Sequence, residues 1–254
     1  MLINSLAIAN EEAPTTAAAQ VAGHDHTEWN VDKVAADSTE MKSASDHHAL
    51  VHPFLVHMGM PDGPGELSVR IFSVEERNAG VANGTYGFHF EAGLFDRLGL
   101  HLRNDAIRTH SNTEMMLQYA ILRSADGKSG ISVIGEVEFP TGNTLENRST
   151  GMFGISFAYL WLPTFAVNSV VHYDQDEKML EWEISFIGRL TEKIFPVLEL
   201  SGETGDIMSL STALFAWKFK IPNNNSLGVA YRVPISTMRE FESQLMLQAE
   251  FNFH

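Results

Sequence analysis

The chain contains no cysteine, so no disulfide holds its fold and no thiolate does chemistry in it. Basic residues are scarce. Against 32 Asp and Glu stand 17 Lys and Arg, a net charge of −15. Phosphate contacts need Lys and Arg, which excludes nucleic acid as a partner and favours cations. Long hydrophobic runs are also missing. No stretch approaches the roughly 18 apolar residues of a spanning helix. That excludes a helical membrane protein but not a barrel, whose strands need only about ten residues with apolar ones at alternate positions. No stretch of useful length repeats at the helical period. No CxxC or HExxH motif is present. Mean hydropathy is −0.08 with 44% hydrophobic residues, so bulk composition does not separate a soluble protein from a barrel.

What is present is alternation. In "YGFHFEAGLFDRLGLHLRN", Tyr86, Phe88, Phe90, Ala92 and Leu94, then Leu98, Leu100 and Leu102, share one face. Gly87, His89, Glu91 and Gly93, then Gly99, His101 and Arg103, share the other. Period two means strands with one apolar face. That face points to the core of a soluble sheet, or to lipid in a membrane barrel.

Three regions follow from composition. Residues 1–9, with Ala7-Ile8-Ala9, fit the tail of an export signal. Residues 10–65 are rich in Ala, Ser, Thr, Asp, Glu, His and Met with little apolar periodicity, and are expected to be a flexible periplasmic segment. From residue 66 to 254 the pattern becomes repeated strands bounded by turn residues such as "SADGKSG" and "IPNNNS". About twelve strands in antiparallel hairpins predict an all-β, up-and-down transmembrane barrel. Aromatic faces such as Phe153, Ile155, Phe157, Tyr159 and Trp161 oppose small and charged ones, Gly154, Ser156 and Ala158. Such a barrel cannot pack all the aromatic bulk inward, whereas a polar lumen accepts Gly, Ser and Glu. A soluble exported β-sandwich that binds a ligand is the alternative. With both termini periplasmic, short turns fall near Phe95, Gly127, Pro163, Thr191 and Asn224, and external loops near Asn78, Ile107, Asn147, Gln175, Gly205 and Ser236. The closing "LMLQAEFNFH" is amphipathic, with its last aromatic at Phe253. That pattern resembles the C-terminal signal of outer-membrane barrels.

Several stretches taken together, "AGLFDRLGL", "EFPTGN", "FPVLELSGETG", "SLGVAYRVPI" and "REFESQLMLQAEFNF", resemble one family of bacterial outer-membrane proteins. It is labelled as involved in the meta-pathway of phenol degradation, or as putative transporters. The resemblance covers about 66–254, with Phe139-Pro140-Thr141-Gly142 its sharpest motif. It implies an outer-membrane barrel, a transport channel and no catalytic residues. The His-rich N-terminal segment is additional to it.

By parity, the lumen receives Glu91, Glu114, Glu136, Glu138, Glu181, Glu183, Glu199, Glu242 and Glu250, with His89, His101, His172, Arg103 and Arg232. An acidic lining concentrates cations and repels anions, which points to a cation-preferring pore. The plainer alternative is that these carboxylates pair with the arginines and close the barrel. The N-terminal segment offers His24, His26, His47, His48, His52, His57, Met58 and Met60. Imidazole with carboxylate suits Cu, Zn or Ni, and thioether suits Cu(I). The segment is thus a candidate to plug the barrel or to hand over metal ions. No cofactor is required by any motif, and no enzyme is expected. Ser169 and Ser243 fall on the face away from the strand histidines, and the pairs Glu136/Glu138 and Glu181/Glu183 follow from parity alone. The expected partners are outer-membrane lipid and a small solute or metal cation, around a monomer. The runner-up is an uptake barrel for small aromatic or apolar compounds.

Overall fold

The computed structural model describes residues 50–104, 107, 112–141, 149–205 and 209–253. Twelve strands run in chain order: β1 (Leu67–Asn78), β2 (Val81–Phe95), β3 (Leu98–Asn104), β4 (Asn112–Arg123), β5 (Gly130–Pro140) and β6 (Thr150–Leu162), then β7 (Phe165–Asp174), β8 (Met179–Gly188), β9 (Ile194–Thr204), β10 (Ser209–Lys220), β11 (Ser226–Pro234) and β12 (Ser243–Phe253). Each pairs antiparallel with its neighbours in sequence, and β12 closes on β1 from Leu67↔Phe253 to Arg77↔Ser243. Closure leaves no edge strand exposed. The expected up-and-down barrel of about twelve strands is the fold observed.

One end of the barrel carries both strand termini and tight connections. The "IPNNNS" turn there places Asn223 and Asn224 at φ 64° and 58°, a left-handed conformation that Asn tolerates better than most residues. The opposite end carries the connections after β1, β3, β5, β7, β9 and β11. The loop expected around Asn147 lies outside the described residues, as does all of 1–49.

The pleat sorts the side chains. On β6, Phe153, Ile155, Phe157 and Tyr159 are all exposed, while Ser156 and Ala158 between them are buried. Ile71, Leu117, Tyr119, Phe215, Trp217, Leu245 and Leu247 continue the exposed apolar wall around the barrel. A continuous apolar wall of this kind is what a lipid-facing surface requires.

The lumen is occupied. Residues 50–66, which the composition joins to the N-terminal segment, form a strap inside the barrel that leads directly into β1. Leu50, Phe54, Leu55 and Met58 of the strap are buried. Leu50, Phe54 and Leu55 form one apolar cluster with wall residues including Phe72, Ile187, Phe195, Leu214 and Met246. Two wall glycines show why the strap fits. A Cβ at Gly228 would collide with the Phe54 ring, and one at Gly93 with the Gly63 backbone.

Candidate functional site

The strap has almost no secondary structure of its own, so its buried backbone groups need partners from the wall. The luminal polar residues supply them. Glu199 on β9 accepts from the amides of Phe54, Leu55 and Val56, at 2.5, 2.9 and 3.3 Å. Glu183 on β8 accepts from the His57 amide at 3.0 Å and lies 3.1 Å from His57 Nδ1. Asn168 Oδ1 on β7 accepts from the Gly59 amide at 3.2 Å, and Ser156 Oγ on β6 donates to the Gly59 carbonyl at 3.0 Å. Gln118 on β4 donates to the Met58 carbonyl at 2.9 Å. Lys218 on β10 donates to the His52 carbonyl at 2.8 Å, and Gln248 on β12 to the Phe54 carbonyl at 2.6 Å. Arg70 on β1 donates to the Pro53 and Phe54 carbonyls at 3.1 and 3.3 Å. Ser132 on β5 reaches the Gly59 carbonyl at 3.5 Å. At the exit, the Gly65 amide donates to the Gly93 carbonyl of β2 at 3.0 Å. With Pro61 against Gly99 of β3 and Phe54 against Gly228 of β11, the strap meets all twelve strands.

Beneath the strap lies a charge cluster with no contact to bulk water. Arg70, Lys218, Glu91 and Glu250 are each at most 2% exposed. Arg70 donates to Glu91, and Lys218 Nζ lies 3.0 Å from Glu250 Oε2. His52 sits between, 3.2 Å from Glu250 and 3.4 Å from Asp62. Burial alone would push the His52 imidazole down; the Asp62, Glu250 and Glu91 carboxylates outweigh it and hold its pKa above the ordinary value. Burial likewise opposes charge on His57. The Glu183 carboxylate wins there, and the pKa is raised to about 9.

On the side away from the tight turns, the strap forms the floor of a vestibule of about 460 Å³. Ten Asp and Glu residues line it, against Arg103, Arg232 and Arg239. Arg103 lies 3.7 Å from both Glu114 and Glu183. Arg232 donates to Thr212 at 2.9 Å and to Ser201 at 3.2 Å, and its guanidinium stands 5.5 Å from the centre of the Phe241 ring. A second cavity of about 490 Å³, lined by Leu55, Phe72, Val74 and Met246, shares Glu76, Arg232 and Gln244 with the first.

The sequence-predicted lumen residues distribute as follows. Glu114, Glu136, Glu138, Glu181, Glu183, Arg103, His172 and Arg232 line the vestibule. Glu91, Glu199, Glu250, His89 and His101 are buried inside the barrel. His101 contacts Gln118 at 3.1 Å, and His89 packs edge-on against Phe72 at 5.1 Å. Glu242 differs: it is exposed, and Phe241 is the buried neighbour. β12 begins only at Ser243, so the alternation that governs the strand does not reach back to Glu242.

Of the metal-ligand candidates, His24, His26, His47 and His48 lie outside the described residues. His52, His57, Met58 and Met60 are inside the barrel but engaged separately. His52 faces Asp62, Glu91 and Glu250, and His57 faces Glu183 and Glu114. Met60 packs near Ser132, and Met58 is buried. Among the described residues, no group of three or more His, Asp or Glu is placed to hold a metal ion. The sequence-predicted lumen set left out Arg70 and Lys218, the buried cations paired with Glu91 and Glu250. The strong outward signal of Trp217 and Phe219 implied Lys218 by parity, whereas "ELSVRIFSV" is apolar on both faces and hides Arg70.

A closed antiparallel barrel, apolar outside and polar inside, is the architecture of outer-membrane channels. Neither a family model nor a curated protein matches the chain. Among solved structures it is similar to the KdgM porin, at 11% identity and TM-score 0.59 over 74% of this chain and 99% of that one. The NanC porin gives 9% identity and TM-score 0.54, over 74% and 99%. An outer membrane channel from Pseudomonas putida F1 gives 11% and 0.55, over 76% and 97%. At these identities the likeness is one of fold. The KdgM porin has also been solved in complex with disordered oligogalacturonate.

Proposed function

We propose that the chain is an outer-membrane channel or accessory transport barrel for small cationic solutes, with its N-terminal segment on the periplasmic side. The observation that carries this reading is the charge of the vestibule, ten carboxylates against three arginines. Such a wall draws cations and repels anions. The expected contrast is with a barrel that takes an anionic oligosaccharide, as the complex of the KdgM porin does. The strap crosses the lumen below the vestibule, so conduction depends on its position. The porin-type fold and the apolar outer wall support the membrane location.

The test is single-channel recording of the refolded protein in planar bilayers under a salt gradient. A reversal potential favouring cations supports the reading; anion preference sinks it. A transition-metal role (Cu, Zn or Ni) for the His- and Met-rich segment is a narrower form of the same proposal. It is tested by whether Zn or Cu(I) changes the conductance, and whether deleting residues 10–49 removes that change. A second reading, uptake of small aromatic or apolar compounds, is favoured by the cavity that Leu55, Phe72, Val74 and Met246 line. It matches the family label of the sequence resemblance. Saturable binding of phenol by the detergent-solubilised protein, lost in Phe72→Ser, would favour it.

A further inference from the structure

The vestibule holds two carboxylate pairs set directly opposite each other on neighbouring strands. Glu114 faces Glu138 across β4 and β5, and Glu181 faces Glu203 across β8 and β9. Like charges at directly opposed positions repel. Arg103 approaches Glu114, but neither Glu181 nor Glu203 has a salt bridge among the described residues. An independent observation lies in the vestibule lining. His172 and Glu136 are only 5% and 4% exposed. Nδ1 of His172 is 3.3 Å from Glu136 Oε2, yet His172 Nε2 and Glu136 Oε2 have no hydrogen-bond partner. With the Nδ1 proton toward the carboxylate, Nε2 presents a lone pair. With Glu136 Oε2 facing that proton, His172 Nε2 is left as a buried acceptor without a donor, a condition that costs stability until something donates to it.

We propose that the vestibule is a binding site for a small linear organic oligocation, a di- or polyamine. The site deepens the cation-channel reading and rests on it for the route of entry. Its volume, about 460 Å³, suits a small organic ligand. Its carboxylates are spread over separate strands and do not converge on a point, which is wrong for one metal ion and right for charges along a chain. Carboxylates two residues apart on one strand, such as Glu136 and Glu138, are spaced roughly 6–7 Å at ~3.3 Å per residue. Ammonium groups joined by four or five carbons have a similar spacing. An N–H group of such a chain supplies the missing donor to His172 Nε2.

The experiment titrates spermidine, and separately Mg²⁺ and Zn²⁺, into the full-length protein in detergent by calorimetry, with conductance recorded in parallel. Spermidine is expected to bind with one saturable site. The double variant Glu181→Gln with Glu203→Gln is expected to weaken it at least tenfold, whereas Glu75→Gln, at the exposed end of β1, leaves it unchanged. Should the double variant not fold, the thermal midpoint of the unaltered protein still answers, because a ligand of the folded state raises it. Metal ions binding in place of spermidine, competing it out at equal charge, overturn the proposal. So does a cation-selective channel with no spermidine affinity, an outcome that leaves the channel reading intact. Spermidine binding by a barrel that conducts nothing supports the site and removes the channel.

Discussion

At the scale of single residues, the acids buried below the vestibule are committed to the strap and to buried cations. Glu199 accepts three consecutive strap amides. Glu199→Ala leaves those donors unpaired, and each buried orphan costs about 1–3 kcal/mol. The variant is expected to lose strap protection in amide hydrogen exchange at Phe54, Leu55 and Val56 while the strands keep theirs. Arg70 and Lys218 balance Glu91 and Glu250 without solvent. Removing one partner of a buried pair costs about 3–5 kcal/mol, so Lys218→Met is expected to lower the urea midpoint markedly, and Lys218→Met with Glu250→Gln to recover part of the loss. His57 titrates in the opposite sense to a carboxylate. Its folded pKa of about 9 lies above the ordinary imidazole value of 6.5, so its contribution is complete below 6.5 and disappears as pH rises through 9. The groups facing it include Glu183, Glu114, Glu136 and Arg103, from four different strands, with the His172 and His101 rings at 5.6 and 6.4 Å. Melting of the protein between pH 6 and pH 10 is expected to show a fall in stability across this window. The fall should be absent in His57→Gln; an identical profile in that variant assigns the pH dependence elsewhere.

At the scale of elements, the strands were legible and the strap was not, for one physical reason. A strand with one face in lipid and one in a lumen repeats its environment every two residues, so Phe153 to Trp161 or Leu245 to Phe253 declares itself locally. The strap repeats nothing. In "HPFLVHMGMPDGPG" the partners change along the segment without a period, and they stand up to 194 positions away, as Gln248 does from Phe54. Composition alone therefore grouped residues 50–65 with the flexible segment before them. Parity placed thirteen of the fourteen lumen candidates inside the barrel or its mouth, and missed Glu242, where the strand had not yet begun. It could not say which carboxylates face water and which hold the strap, since that depends on where the strap runs. The element-scale prediction follows from this division. Gly228→Leu removes the space for the Phe54 ring. It is expected to unseat the strap and raise open-channel conductance without altering β-sheet content by circular dichroism.

At the scale of the whole molecule, the distribution of charge and oil sets behaviour in solution. The outer wall exposes Ile71, Leu117, Phe153, Ile155, Phe215 and Leu247, far more contiguous apolar surface than a soluble monomer carries. The purified protein is expected to sediment as aggregate without detergent and as a single species with it. A protein that stays monodisperse without detergent would contradict the membrane reading. The vestibule charge acts over about one Debye length, about 10 Å at 0.1 M salt. The cation preference proposed above is therefore expected to weaken as ionic strength rises, and to weaken further in Glu138→Gln with Glu181→Gln, as measured by the reversal potential.

The strap's connection to β1 limits how it can move. It lies within a closed ring and is covalently continuous with the first strand at Leu67, at the end of the barrel that carries the tight turns. Among the described residues, Gly63, Pro64 and Gly65, the last with φ of 80°, lead the chain from the strap into that strand. The described strap is thus anchored at its C-terminal end. Withdrawal of the described strap past the tight turns would leave every interstrand pair intact at the expense of its hydrogen bonds to the wall, whereas withdrawal through the opposite mouth would pull against that anchor.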